Sequence, residues 1–579
     1  MRRSWSLSAA LSSYLLLVLY CTGPSSALYL NGLFSDNAIL QIEREEITAP
    51  QARIYGSTFL NETVKITGTN GFPSLQAKPV ATPDSAPDEG QWSVTVPAPT
   101  NGKTGPFDIT VTSLDATGKA TNSSEFGNVF FGDVIVCSGQ SNMELSVRAT
   151  DNGTEEIAAA SQYESIHLFN VVHNESNSSI TTIAGTWNVS SNASVPNFSA
   201  VCYITGRMLT DWLRVIYPDT VMHVGLIESN IGGTTVHFWA PPDVGLACNK
   251  TGMLPWQGEC AQHVAGWLWN AMINPMSMSG QGYAIMAAMY YQGEADSGEN
   301  DHMSTAAYTC ELANMIRFWR KEWNQPAMPF VNVQLPGGGY GGCSPGNYDD
   351  GLTSWVGIRA AQQRTSRLVP HTGMVVSVDQ GGALHYPHKS EVAHRASLWI
   401  RQLAYADSKA NAQGPTFLYA TKATPDAMEV KLHFHVTNGP LKLASAWTCE
   451  KVKPCTWPAV NVTCCDGNAP SIVSVRLHGI YYHTDRPGHH GGNISETWSW
   501  VPATIDLDAA SSTATAKPML PPVGTKGWPV YYSTYLGTEA FSIEAVVVNA
   551  NGRPGCAIVD ASGIPVGTYE STPVLVVPE

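Results

Sequence analysis

The sequence is poor in charge: Asp, Glu, Lys and Arg make up only 14% of its 579 residues, against 43% hydrophobic residues. That balance excludes an intrinsically disordered chain, which cannot bury enough apolar surface to offset the entropy of ordering. Basic residues are the scarcer sign, 32 against 47 acidic, for a formal charge of −15. No nucleic-acid partner is expected, because binding to phosphates is driven by clustered Lys and Arg. Beyond the N-terminus no apolar run approaches the ~20 residues of a membrane span, so no membrane association is expected after signal removal. A repeat of fixed period, a low-complexity tract and paired C-x-x-C spacing are also missing, and the last weighs against a cysteine-held metal.

What is present points to export. Arg2 and Arg3 precede an apolar stretch over 7–20, and Ser25, Ser26 and Ala27 offer a cleavage site, so residues 1–27 are expected to be a signal peptide. Removing its two arginines takes the formal charge to about −17. Eleven of the twelve cysteines follow Cys21. Cys248 with Cys260, and the group Cys449, Cys455, Cys464 and Cys465, are expected to be disulfide staples, with Cys137 the free thiol of the odd count. Eleven N-x-S/T sequons, six of them between Asn152 and Asn197, suggest a glycosylated face. A secreted or lysosomal destination is the corresponding expectation.

Periodicity divides the mature chain into three. Short β-like runs at 38–41, 52–55, 64–66, 92–96 and 107–111, separated by turn signals such as Asn70-Gly71, predict a β-sandwich domain over 28–127. From 128 to 412 strands alternate with helices, as in the strand at 166–171 followed by the helix at 200–214. That order predicts a parallel sheet with right-handed crossovers. Residues 413–579 return to short β runs.

Within the middle region, the apolar run at 134–136 breaks at Gly139, and Ser141 opens a helix-compatible segment, Met143-Glu144-Leu145. A serine between strand and helix is either an ordinary N-cap or a nucleophile at the carboxyl end of a strand, where helix N–H groups are free for a developing anion. Other strand ends supply the rest of an acyl-transfer set. His385 is the base; the Ser141 N–H, Gly232 or Gly233, and the Gln292 amide are oxyanion donors. Ser344, in Gly342-Cys343-Ser344-Pro345-Gly346, has the letters of a nucleophile elbow but lies in a Gly-rich loop that opens no helix. His483, Asp485, His489 and His490 read as a solvated loop rather than a metal site. His388 is an alternative base.

The block Cys137-Ser138-Gly139-Gln140-Ser141-Asn142-Met143 resembles the nucleophile block of the sialate O-acetylesterase family, carbohydrate esterases of the SGNH-hydrolase fold. Gly232-Gly233-Thr234, Tyr291-Gln292-Gly293-Glu294, and Leu384-His385 with Lys389 and Arg395 are similar to its later blocks, in order. The resemblance implies an SGNH-like parallel-sheet domain flanked by β-sandwich-like regions. It also implies a serine esterase for O-acetylated sialic acids that requires no metal or organic cofactor.

The chain departs from the family pattern at three places. Asp296 stands where an Asn donor is often found. Gly382, not an acid, lies three residues before His385. Tyr386 separates His385 from Pro387. Either Asp379 or a backbone carbonyl is left to orient His385, the second giving a Ser–His dyad. An esterase for neutral sugars such as acetylxylan, and a non-catalytic sugar-binding protein, are the alternatives.

Overall fold

The computed structural model describes residues 28–43, 51–82, 87–98, 102–249, 265–297, 303–336, 355–380, 384–422 and 429–443, together with 504–508, 510–518 and short strands between 455 and 576. The signal segment, Ser344, Cys260, His483, Asp485, His489 and His490 lie outside the described residues, as do the side chains of Cys449, Cys455, Cys464 and Cys465.

Strand β1 (Ala120–Gly139) organises the molecule. Its first half pairs antiparallel with Phe107–Leu114 in the N-terminal β region, and its second half runs through the middle of a parallel sheet. One continuous strand therefore crosses position 127/128. The composition of β1 follows its surroundings. Exposed and half-buried polar residues over 121–125 give way to Val134, Ile135, Val136 and Cys137, all fully buried. A strand covered on both faces by helices has no polar side to alternate with.

The remaining core strands are β2 (Ile166–Val171), β3 (Gly185–Val189), β4 (His223–Asn230), β5 (Ala287–Tyr291), β6 (Phe330–Val333) and β7 (Thr372–Val375). Their order across the sheet is β3-β2-β4-β1-β5-β6-β7, all parallel except β3. The order reverses direction at β1, so the chain leaves the sheet on opposite faces on either side of it. A crevice opens at such a switch point, outside the carboxyl ends of the strands.

Helix α1 (Ser141–Glu144) follows β1 directly, and α2 (Ala200–Ile216), α3 (Thr305–Glu322), α4 (Trp355–Leu368) and α5 (Ser390–Ala404) cover the sheet. Helix α2 starts at a capping serine: Ser199 Oγ accepts the N–H of Cys202 at 3.2 Å. It packs against α5, where Thr205 Oγ1 donates to the Ala393 carbonyl. Between β4 and β5 the chain forms one π-turn (Trp269–Ile273) followed by a short helix with a proline near its start (Asn274–Ser277). At the other end of the chain, Thr416–Lys422, Val430–His435, Ile494–Asp508 and Thr513–Pro518 belong to an eight-stranded sheet. The described fold is thus the mixed α/β architecture with flanking β regions.

The cysteines correct two expectations. Cys137 is not a free thiol but is bonded to Cys202, and Cys248 is bonded to Cys310 rather than to Cys260. Both partners lie more than 60 residues away in sequence. They are neighbours only because α2 packs on β1, and α3 against the helix Pro242–Asn249.

Candidate active site

The turn that presents Ser141 is fixed by Gly139, whose φ of +133° lies where L side chains rarely go. A Cβ there would stand 2.1 Å from the Tyr291 carbonyl oxygen of β5, so only glycine fits. The chain then enters α1, and the Gln140 side chain is drawn inward. Its Oε1 accepts from Gln292 Nε2 at 3.0 Å and from the Ala295 N–H at 3.2 Å. Ser141, left partly open at the rim, meets His385: the imidazole Nε2 lies 2.8 Å from Ser141 Oγ. Residues 244 positions apart are joined because β1 and the segment after β7 both end at the same edge of the sheet.

His388 faces elsewhere, with its Nδ1 paired to Asp151. The His385 pKa is lowered by burial and by the charge of Lys389, against an opposing pull from Glu144. The imidazole is therefore neutral, and able to accept a proton, at pH values below its ordinary midpoint.

Asp379 is not turned toward His385. Arg395 Nη1 and Nη2 grip its two oxygens at 2.7 and 2.8 Å, and Gln380 Nε2 donates to it at 3.0 Å. Among the described residues no hydrogen bond reaches Nδ1 of His385.

The expected oxyanion donors are placed unevenly. Gly232 packs against Ser141, for a Cβ on it would meet the Ser141 Cβ at 3.3 Å. Its N–H, however, donates to Glu144 Oε2 at 2.7 Å. Gly233, at φ +74°, faces open space. Among the described residues the N–H groups of Ser141 and Gly233 have no acceptor. The Gln292 amide, by contrast, is buried and committed: its Nε2 donates to Gln140 Oε1, to the Thr234 carbonyl at 2.9 Å and to Asp296. Its own oxygen accepts from Tyr308 at 2.9 Å. Gln292 ties the strand ends together and leaves no donor for the crevice, which corrects its expected role. Asp296, buried as well, accepts the Val236 N–H.

Three side chains at this edge carried no role in the sequence reading. Glu144, one turn after Ser141, puts a carboxylate on Gly232, with His173 Nε2 3.8 Å away. Asn142 and Lys389 form part of a fully buried polar cluster with Glu294. A polar residue beside Ser141 and a lysine at the start of a helix were visible in the sequence, but nothing in their spacing revealed their burial.

A parallel sheet wound on both faces, with a serine and a histidine meeting at its carboxyl edge, is an α/β fold that carries a candidate acyl-transfer pair. Residues 131–398 match the family model described as "Carbohydrate esterase, sialic acid-specific acetylesterase". The chain is also similar to the sialate O-acetylesterases of Homo sapiens and Pongo abelii. Each is 28% identical over 336 residues, covering 54% of this chain and 59% of the relative. The Mus musculus sialate O-acetylesterase is 26% identical over 413 residues, covering 63% of this chain and 72% of the relative. The chain thus spans 59% of the length of the first two relatives. A carbohydrate acetylesterase from Xanthomonas citri shares the fold, with a TM-score of 0.64 at 21% identity over 94% of this chain and 99% of that one.

Proposed function

We propose that the protein is a serine esterase that removes O-acetyl groups from carbohydrates, with O-acetylated sialic acids as the first substrate class to test. The observation that carries the reading is the 2.8 Å contact between Ser141 Oγ and His385 Nε2 at the carboxyl edge of the sheet. Ser141 Oγ attacks the acetyl carbonyl carbon while His385 Nε2 takes its proton. The carbonyl π-electrons move onto oxygen, which the N–H groups of Ser141 and of Gly232 or Gly233 receive. Collapse expels the sugar oxygen, which takes the proton back from His385 and leaves acetyl-Ser141. Water then attacks the acyl carbon, giving its proton to His385, and acetate departs as Ser141 recovers that proton. Use of the Gly232 N–H requires the Glu144 carboxylate to leave it, since the two anions cannot share one donor. Asp379 serves this reaction through Arg395 and the strand end rather than through the imidazole.

The sialate preference draws support from the family match and the curated relatives. A second reading, an esterase for neutral sugars, is favoured by the Glu144 carboxylate beside Ser141 and by the acidic balance of the chain. An anionic sugar would be repelled by both unless a basic group faces it. A secretory-pathway location fits the two disulfides.

Two measurements test these readings. Fluorophosphonate is expected to label the wild type and not Ser141→Ala; an unlabelled wild type would sink the esterase reading. Acetate release from O-acetylsialate is expected to exceed that from acetylxylan, and the reverse order would transfer the assignment to neutral sugars.

A further inference from the structure

The cluster of Asn142, Glu294 and Lys389 contains two ionisable side chains, and all three residues are at most 1% exposed. Burying ions costs several kcal/mol each before pairing, and an apolar replacement is often as stable. Its presence one residue from Ser141 and four from His385 therefore calls for a reason beyond stability.

The hydrogen bonds supply one. Lys389 Nζ donates to Asn142 Oδ1 at 2.6 Å. Asn142 Nδ2 donates to Glu294 Oε1 and, at 3.0 Å, to the carbonyl of Leu384. An ammonium only donates and a carbonyl only accepts, so the orientation of the Asn142 amide is forced. One side chain thus joins three segments: the nucleophile's helix, the exit from β5 and the His385 loop. That loop is held on both sides of the histidine, through the Leu384 carbonyl before it and through Lys389 after it. Lys389 is locked further by the Tyr386 ring, with Nζ 3.5 Å from its centroid, and by Tyr291 at 5.3 Å. Tyr386 and Tyr291 are in turn joined through their hydroxyls at 2.8 Å.

We propose that Asn142, Glu294 and Lys389 are a buried positioning network that aims His385 at Ser141, performing through the loop backbone the task usually given to a carboxylate on the imidazole Nδ1. The proposal rests on the esterase reading above. It accounts for Asp379 being committed to Arg395 while the Ser141–His385 contact persists.

The network also acts by charge. The groups facing His385 are Lys389 from its own loop, which lowers its pKa, and Glu144 from α1, which raises it. Lys389 is itself pushed down to about 7 by burial, with Glu294 holding it up. Burial raises the Glu294 pKa, with the Asn142 hydrogen bond and then Lys389 opposing.

The test is hydrolysis of p-nitrophenyl acetate against pH by the full chain and by Lys389→Met, Lys389→Arg and Glu294→Gln, with melting curves and fluorophosphonate labelling alongside. Lys389→Met is expected to lower kcat roughly 10–100-fold, the scale of a small misplacement of a reacting group, with KM within about twofold because no network member touches substrate. Its acid limb is expected to move to higher pH, since the charge that depresses His385 is gone. Lys389→Arg keeps the charge and should leave the limb in place. Glu294→Gln still accepts from Asn142 but weakens the hold on the Lys389 proton, so its limb should move as in Lys389→Met. Should Lys389→Met fail to melt cooperatively, the near-isosteric Glu294→Gln decides alone. A labelled, active wild type whose variants keep the wild-type limb, or lose KM rather than kcat, overturns the network and leaves the esterase standing. A wild type that is neither labelled nor active takes both down.

Discussion

The two ends of the parallel sheet each bury a polar cluster, and they solve the problem in opposite ways. At the carboxyl end, Glu294 and Lys389 are each hydrogen-bonded to Asn142, and burial raises the pKa of the first and lowers that of the second to about 7, with the charge of each opposing the shift of the other. At the amino end, His223 stacks on Phe130 with ring centroids 3.9 Å apart, and His167 lies edge-on to it at 5.6 Å. His167 Nδ1 has a partner in the Asn37 carbonyl at 2.6 Å, but the buried Nδ1 of His223 has none among the described residues. Burial and the neighbouring His167 push the His223 pKa down to about 4. The carboxyl end therefore holds an opposed pair of ionisable groups linked through one amide close to Ser141 and His385, whereas the amino end holds an imidazole driven toward its neutral form. The difference teaches where each cluster should be felt: the first in rate, the second in stability.

The largest effect expected from this contrast is at the carboxyl end. His385→Ala should lower kcat roughly 10²–10⁴-fold, the usual contribution of a positioned base, with an unchanged melting temperature. A loss below tenfold would remove His385 from the mechanism.

Asp379→Asn sharpens the boundary between the two kinds of effect, for Asp379 lies near the reacting edge yet pairs with Arg395, whose side chain is only 3% exposed. Breaking a buried pair of this kind costs about 3–5 kcal/mol, so chemical denaturation should show a large loss of stability. The loss of kcat should be far smaller than that of His385→Ala, and equal losses would place Asp379 in a triad.

At the amino end the expected effect is a pH dependence of stability. The folded pKa of His223 lies below its unfolded value, so between about 4 and about 6.5 the unfolded chain binds the extra proton. Stability should fall as pH drops through that window, by a few kcal/mol at most, and level off below it. His223→Phe should flatten the curve without moving the acid limb of kcat; a shifted limb would break the separation of the two ends.

The smallest effect belongs to Glu144→Gln. Glu144 raises the His385 pKa from a half-exposed position, so its neutral replacement should move the acid limb slightly downward, the reverse of Lys389→Met. It should also ease release of the Gly232 N–H. A limb displaced upward would contradict the geometry.

Much of the reacting edge was legible in the sequence because it depends on local constraints. Gly139 marks the turn, since a strand end that must abut a neighbouring carbonyl tolerates no Cβ. Ser141 follows it, and strand–helix alternation brings every later strand end to the same edge. The limits of that legibility are equally physical. Gln292 reads as a donor in sequence, but an amide is directional, and its direction was settled by Gln140, Thr234 and Asp296 arriving from other segments. Cys137 reads as free because its partner is 65 residues away. Asn142 and Lys389 read as ordinary polar residues because burial is a property of what packs over them.

The sequence by itself therefore determined the alternation of elements, the glycine turn and the pair of Ser141 and His385, all of which follow from periodicity and local backbone chemistry. Only the tertiary structure decided which donors face the crevice, which cysteines pair, and that the loop behind His385 is tied to a buried amide rather than to Asp379. Those outcomes depend on side chains from distant segments competing for the same few hydrogen bonds, and that competition is resolved only when the segments meet.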